Sequence, residues 1–181
     1  MNDKELIQKI VSGDTQAFKL LVEKHQEMVF RVAIGFVHSK EDAEDLTQDI
    51  FIKVYDSLKT FRQDSEFSTW LYRITVNYSI NHIRKNKKNS LLDSLETIFN
   101  KVSPDKTPVE EVEEQERDLR IKNAIDKLNP RQRTAFVLSN YEELSQKEIA
   151  TIMKTSEGAV EQLLQRAKAK LREILVSNVG K

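Results

Sequence analysis

The sequence predicts an all-α protein: two small helical domains joined by a flexible acidic linker, the second a helix-turn-helix domain. Three observations predict it. Gly and Pro are scarce, at four and three of 181 residues, so little punctuates the chain. Val and Ile are scattered rather than alternating, so no strand pattern emerges. Two blocks with helical apolar spacing flank "SPDKTPVEEVEEQE", which holds two of the three prolines and a run of acids. The expected division is residues 1–90, a linker over 91–115, and a second domain over 116–181.

Turn chemistry at Ser12, Gly13 and Asp14 precedes Phe18, Leu21, Val22, Val29, Val32, Ala33 and Phe36 at helical spacing. This predicts one long helix, with a short one before it. Ser39, with Asp42 three residues on, caps the next helix, whose stripe is Ala43, Leu46, Ile50, Val54 and Leu58. "KTFRQDSEF" breaks the period and reads as a loop before a fourth helix. In the second block, Asn129, Pro130 and Gln132 form a helix start. Ser145 and Glu148 form a capping box, and Thr155 or Ser156 caps the last helix.

The chain carries 29 acids and 29 bases, so partners must be sought in the charge distribution. Cysteine is absent, which excludes disulfides and thiolate metal sites and suggests a reducing compartment. The N-terminus lacks a secretory apolar run, and no stretch approaches the roughly 20 apolar residues of a membrane span. A cytoplasmic protein without membrane insertion is expected.

"FSTWLYRITVNYSINHIRKNKKN", from Phe67 to Asn89, contains no acid. On a helix, Trp70, Arg73, Asn77, Asn81, Arg84 and Lys88 form one continuous row, and Lys85 adds to the basic tail. The row combines a flat aromatic ring for stacking, amides that match base edges, and cations for phosphates. That points to single-stranded or melted nucleic acid. The plainer reading is a solvated polar edge with a Trp closing the core.

"SQKEIATIMKTSEGAVEQLLQRAKAKLREIL" has the plan of a helix-turn-helix. Ile149, Ala150 and Ile152 would pack its first helix, and Val160, Leu163 and Leu164 its second. The exposed face would present Ser156, Glu157, Glu161, Gln162, Gln165 and Arg166 to a major groove, with Lys168, Lys170 and Arg172 as phosphate contacts. Many helical hairpins share this pattern. "EDAEDLTQDIF" gathers Glu41, Asp42, Glu44, Asp45 and Asp49 at a helix start, where acids are electrostatically comfortable. Such clusters are most often solvated faces; the remaining use is docking a basic partner. His25, His38 and His82 are isolated, and no phosphate loop or nucleophile elbow occurs, so no metal, cofactor or catalytic role is expected.

The order of these parts resembles the bacterial sigma factors of RNA polymerase, in particular the small extracytoplasmic-function type of the sigma-70 family. "DLTQDIF", then "FRQDSEFSTWLYRI", an acidic linker, and "LNPRQRTAFVL…SQKEIATIM…SEGAVEQLLQRAKAKLREIL" carry the resemblance over nearly the whole chain. It implies a non-catalytic subunit that binds core polymerase and directs promoter recognition, melting and initiation. Asp45, Gln48 and Asp49, with Phe51 nearby, would dock on the clamp helices of the large subunit. The loop from Phe61 through Ser65 to Glu66, with Asn77, would capture an unpaired base of the minus-ten element. Trp70, Arg73, Asn81 and Arg84 would hold the melted strand or adjoining duplex. The helix-turn-helix would read the minus-thirty-five element, and the linker would thread through the polymerase. An anti-sigma partner is a further expectation. The chain departs from many members in having Glu161, Gln162 and Leu163 where a basic residue, a Ser and an Arg are common; Arg166 is kept. The alternatives are a stand-alone regulator that binds only duplex DNA, and a hydrolase using the acidic cluster with a metal.

Overall fold

The computed structural model describes residues 1–62, 64–96 and 109–177; of residues 88–96, 109–116 and 177 it describes the backbone only. All regular elements among the described residues are helical. Helix α1 (Asp3–Val11) starts on an Asn2–Glu5 capping box. Helix α2 (Thr15–Val37) starts where the Asp14 carboxylate accepts from the backbone N–H groups of Gln16 and Ala17. Ser39 caps α3 (Lys40–Ser57) through the Asp42 N–H, as expected. A 3-10 turn (Leu58–Thr60) then leads through the loop to α4 (Phe67–Glu96).

The second block comprises α5 (Val109–Asp126), α6 (Pro130–Asn140), α7 (Gln146–Met153) and α8 (Glu157–Ser177). Both expected capping boxes, Asn129–Gln132 and Ser145–Glu148, are formed. Ser156, rather than Thr155, caps α8, accepting from the Ala159 N–H at 3.2 Å. Helix α4 continues through residues 91–96 of the expected linker, because "LLDSLE" offers helix formers and no proline intervenes before Pro104. Helix α5 begins at Val109, before the expected start at Glu116. The middle of the expected linker, 97–108, lies outside the described residues.

Helices α2, α3 and α4 pack side by side, with α1 laid across α2. Their centre is Leu21, Val29, Val32, Phe36, Ile50, Val54, Leu58 and Leu71, all essentially inaccessible to solvent. Lys24 Nζ fastens α1 by donating to Asp3 at 2.6 Å. In the second block Val137, Leu138, Ile149 and Val160 form the equivalent centre. Ile149, Ala150, Ile152, Val160 and Leu164 are buried as the helix-turn-helix pattern requires, and Leu163 is half-buried.

The two blocks are not beads on a string. Helix α6 packs on α2 and α7 packs on α4, so the buried side chains of both blocks form one continuous cluster. Gly35 permits this approach. A Cβ there would lie 2.8 Å from Val137 Cγ1 and 3.2 Å from the Tyr141 ring. Glycine inside a helix costs about 0.5–1 kcal/mol relative to Ala, and here the close contact offsets it.

Ile50 is fully enclosed at the α2–α3–α4 centre. Ile50→Ala is expected to destabilise the chain by about 2–5 kcal/mol, measured as a lower denaturation midpoint.

Candidate nucleic-acid interface

The acids on α3 face solvent. Asp45, Gln48 and Asp49 are exposed, whereas Phe51 is buried and contributes from beneath. Phe51 and Gln48 line a groove of about 560 Å³ together with Phe18, Val22, Ile52 and Tyr55. Ile52 and Tyr55 are exposed for such large apolar side chains, at 63% and 43%. The patch is therefore an apolar groove bordered by carboxylates, which suits a basic, amphipathic helical partner.

The row on α4 divides in the structure. Trp70 is half-buried, its ring 4.9 Å from Phe61 and 5.7 Å from Phe67, so the loop and the helix start share one aromatic cluster. Ser65 lies on the same loop and lines a recess of about 220 Å³ with Asp3, Lys4, Ile7, Phe61 and Glu66. Asn77, Asn81, Arg84 and Lys85 are exposed. The Lys88 side chain lies outside the described residues.

Arg73 is already engaged. Its Nη2 donates to the Thr151 carbonyl at 2.7 Å and its Nε to the Ile152 carbonyl at 3.0 Å. Those carbonyls lie in the last turn of α7, where a helix leaves acceptors unmatched and carries partial negative charge. Between α4 and α6–α7 lies a cleft of about 370 Å³ lined by Arg73, Asn77, Arg131, Thr134 and Lys154.

On α8, Ser156, Glu157, Glu161, Gln162, Gln165, Arg166 and Lys168 are all exposed, as are Lys170 and Arg172. Gln165 Nε2 donates to Glu161 Oε1 at 3.2 Å, a surface pair one turn apart. Of the three positions that depart from the family pattern, Leu163 packs against the core and only Glu161 and Gln162 point outward. A Cβ on Gly158 would meet nothing within 4 Å, so the chain's own packing does not require that glycine.

Three polar residues at the domain contact carry no local sequence signal. The Glu142 side chain is 2% exposed and accepts from Arg31 Nε at 2.7 Å and from Tyr72 Oη at 2.7 Å. Burial, and then the bond to Glu142, push the Tyr72 phenol above its ordinary range and keep it a donor. Arg133 is buried as well; its guanidinium donates to the Phe36 carbonyl and pairs with Asp126 at 2.6 Å. Burial would raise the Asp126 carboxyl, but a hydrogen bond from His38 and the charge of Arg133 outweigh it and hold it low. The one available sequence signal was Gly35, a glycine inside an otherwise helical pattern.

A three-helix core with an apolar groove bordered by acids and an amide-rich helix free of acids from Phe67 to Asn89, followed by a helix-turn-helix, defines a two-domain transcription initiation factor. Residues 21–89 match the family model for sigma-70 region 2, and residues 118–171 match sigma-70 region 4. RNA polymerase sigma-H factor of Pseudomonas aeruginosa is 32% identical over 96% of this chain and 93% of its own length. The sigma factor SigW of Bacillus subtilis is 31% identical over 95% of this chain and 96% of its own. Among solved structures, CnrH in complex with the cytosolic domain of CnrY superposes with a TM-score of 0.68, at 27% identity over 97% of both chains. The sigma factor RpoE of Bartonella quintana, bound to the anti-sigma factor NepR, gives 0.60 at 25% identity, over 87% of this chain and 96% of its own. The chain belongs to the extracytoplasmic-function sigma factors of the sigma-70 family. Among the described residues no helix is long and apolar enough to cross a membrane.

The single Trp makes the aromatic cluster observable. Phe61→Ala is expected to red-shift Trp70 emission and to cost roughly 1–2 kcal/mol, less than the 3–5 of a fully buried Phe. Steady-state fluorescence through a denaturant titration measures both.

Proposed function

We infer that this sigma factor works as a docking and recognition subunit of RNA polymerase, with chemistry left to the core enzyme, and that it acts in the cytoplasm. Core binding and promoter-directed initiation follow from the family. The residue assignments are our own reading. The observation that carries them is the presence of both sigma-70 regions, in order, on one chain whose α3 acids, α4 amides and α8 reading face are exposed.

Asp45, Gln48 and Asp49 would meet a basic helical surface of the large subunit. Phe51 holds the groove floor that receives an apolar side chain. This combination gives steering from charge and affinity from burial.

Asn77, Asn81 and Arg84 would contact the melted minus-ten strand. The Ser65 loop recess would receive an unstacked base beside the aromatic cluster. Trp70 then acts mainly by supporting the loop, since its ring already packs on Phe61. Opening a base step costs a few kcal/mol and stacking returns about 1–3 per base, so the strand contacts and the docked polymerase are both needed.

Glu161, Gln162, Gln165 and Arg166 would read the upstream element as duplex, with Ser156, Lys168, Lys170 and Arg172 at phosphates. Glu161 would accept from a cytosine amino group. An anti-sigma factor is a fitting further partner, since the sigma factor RpoE of Bartonella quintana is solved in complex with the anti-sigma factor NepR.

Asp49→Lys is expected to weaken core polymerase binding by about tenfold or more through charge reversal at the patch. A pull-down titration checks it, and undiminished binding would remove α3 as the dock. Asn77→Ala is expected to reduce open-complex formation several-fold while leaving duplex promoter binding by the holoenzyme nearly intact. Permanganate footprinting beside a filter-binding assay separates the two; equal losses would argue for a reader of duplex DNA alone.

A further inference from the structure

We propose that the cleft between α4 and the α6–α7 pair is a binding site for a nucleoside di- or triphosphate. Arg73, Arg131 and Lys154 would take its phosphates, and the apolar floor would lie under its base and sugar. The site is distinct from the α3 groove, the Ser65 loop recess and the α8 face. It does not depend on the reading of α4 as a contact to melted DNA.

The cleft has the size of a small-molecule site. Its volume is about 370 Å³, within the roughly 300–1,000 Å³ of such pockets. Charge selects the ligand. Three cations line it and no Asp or Glu does, in a chain with equal numbers of acids and bases. Elsewhere Lys19, Lys24, Arg31 and Arg133 each meet a carboxylate. Among the described residues Arg73, Arg131 and Lys154 form no ion pair. Uncompensated charge of one sign in a recess with apolar walls concentrates the field on an entering anion.

Arg73 prepares the cleft. Its Nη2 and Nε cover the Thr151 and Ile152 carbonyls, which would otherwise turn the negative end of α7 towards an anion. Its Nη1 takes part in neither bond. Helix α6 begins at the cleft, with Pro130, Arg131 and Thr134 among the lining residues, and adds its positive end to the cations. Lys154 holds a left-handed backbone at φ 52°, a conformation that favours glycine, and it brings an ammonium to the cleft that glycine would lack. Guanidinium groups fit pairs of phosphate oxygens and an ammonium acts as a point charge, so three cations suit two or three phosphates. The floor is Val76, Ile80, Pro130, Ile152 and Met153, an apolar bed for a ring. Asn77, exposed at its edge, offers a donor and an acceptor to a base. Helix α4 belongs to one domain and α6–α7 to the other, so a bound nucleotide stabilises the contact between them.

Fluorescence anisotropy of ribose-labelled GDP and ADP on the full chain tests the site. Arg131→Glu and Lys154→Glu are exposed substitutions, and each is expected to weaken binding by about tenfold or more, with none left in the double variant. Lys122→Glu, an exposed cation on α5 outside the cleft, should leave binding unchanged. Unlabelled GDP or ADP should raise the thermal midpoint of the wild type and not that of the double variant. Circular dichroism of each variant establishes that it remains helical. Inorganic pyrophosphate should compete about tenfold more weakly than the nucleotide, because it leaves the apolar floor empty. Absence of binding by either nucleotide at millimolar concentration overturns the proposal. So does binding that survives both reversals, or that falls equally in Lys122→Glu. Pyrophosphate competing as well as GDP overturns the nucleotide class and leaves an adventitious ion only. A short single strand of random sequence that outcompetes the nucleotide, and is weakened by the same two reversals, assigns the cleft to nucleic acid and overturns the proposal; the reading of α4 then stands without it.

Discussion

A carboxylate with 2% of its surface exposed, Glu142, has its charge balanced by donors from the other domain. Removing one partner from a buried ion pair costs about 3–5 kcal/mol when the remaining charge cannot reach water. Such pairs add little net stability but specify one arrangement over its competitors. The relative placement of α2, α4, α6 and α7 depends on this contact.

Both domains are small, and each leaves apolar surface that the other covers. Ile80 and Pro130 both line the cleft, and Val137 reaches into the space left by Gly35. Such surfaces, once exposed, must be covered by another partner. A sigma factor has two: core polymerase and promoter DNA.

Function is divided by position. Acids gather on α3, cations on α4 and α8, and the described ion pairs between blocks, Arg31–Glu142 and His38–Asp126, lie at the contact rather than on the reading faces. This keeps phosphate-facing surfaces free of repulsion without giving the chain a net charge. Glu157 and Glu161 are exceptions on the α8 face, and Glu161 pairs locally with Gln165. An acid there disfavours phosphate contact and favours a base-edge contact, so the upstream motif should differ from that of relatives with a cation at this position.

Local interactions were determined by the sequence itself. The helix starts at Ser39, Asn129 and Ser145, the buried stripe of the helix-turn-helix and the exposure of Asp49, Asn77 and Arg166 all follow from hydrogen bonds and spacings within a few residues. Helical periodicity places a side chain on a face; it does not say what meets that face. Trp70 and Arg73 fell in one row by spacing, yet the first packs on Phe61 and the second caps α7. The Tyr72 hydroxyl donates to a carboxylate 70 positions away. Arg31 finds the same carboxylate across 111 positions. Those pairings depend on the angle at which two cores meet, which is set by the summed shape of many side chains, and only the tertiary structure decided it.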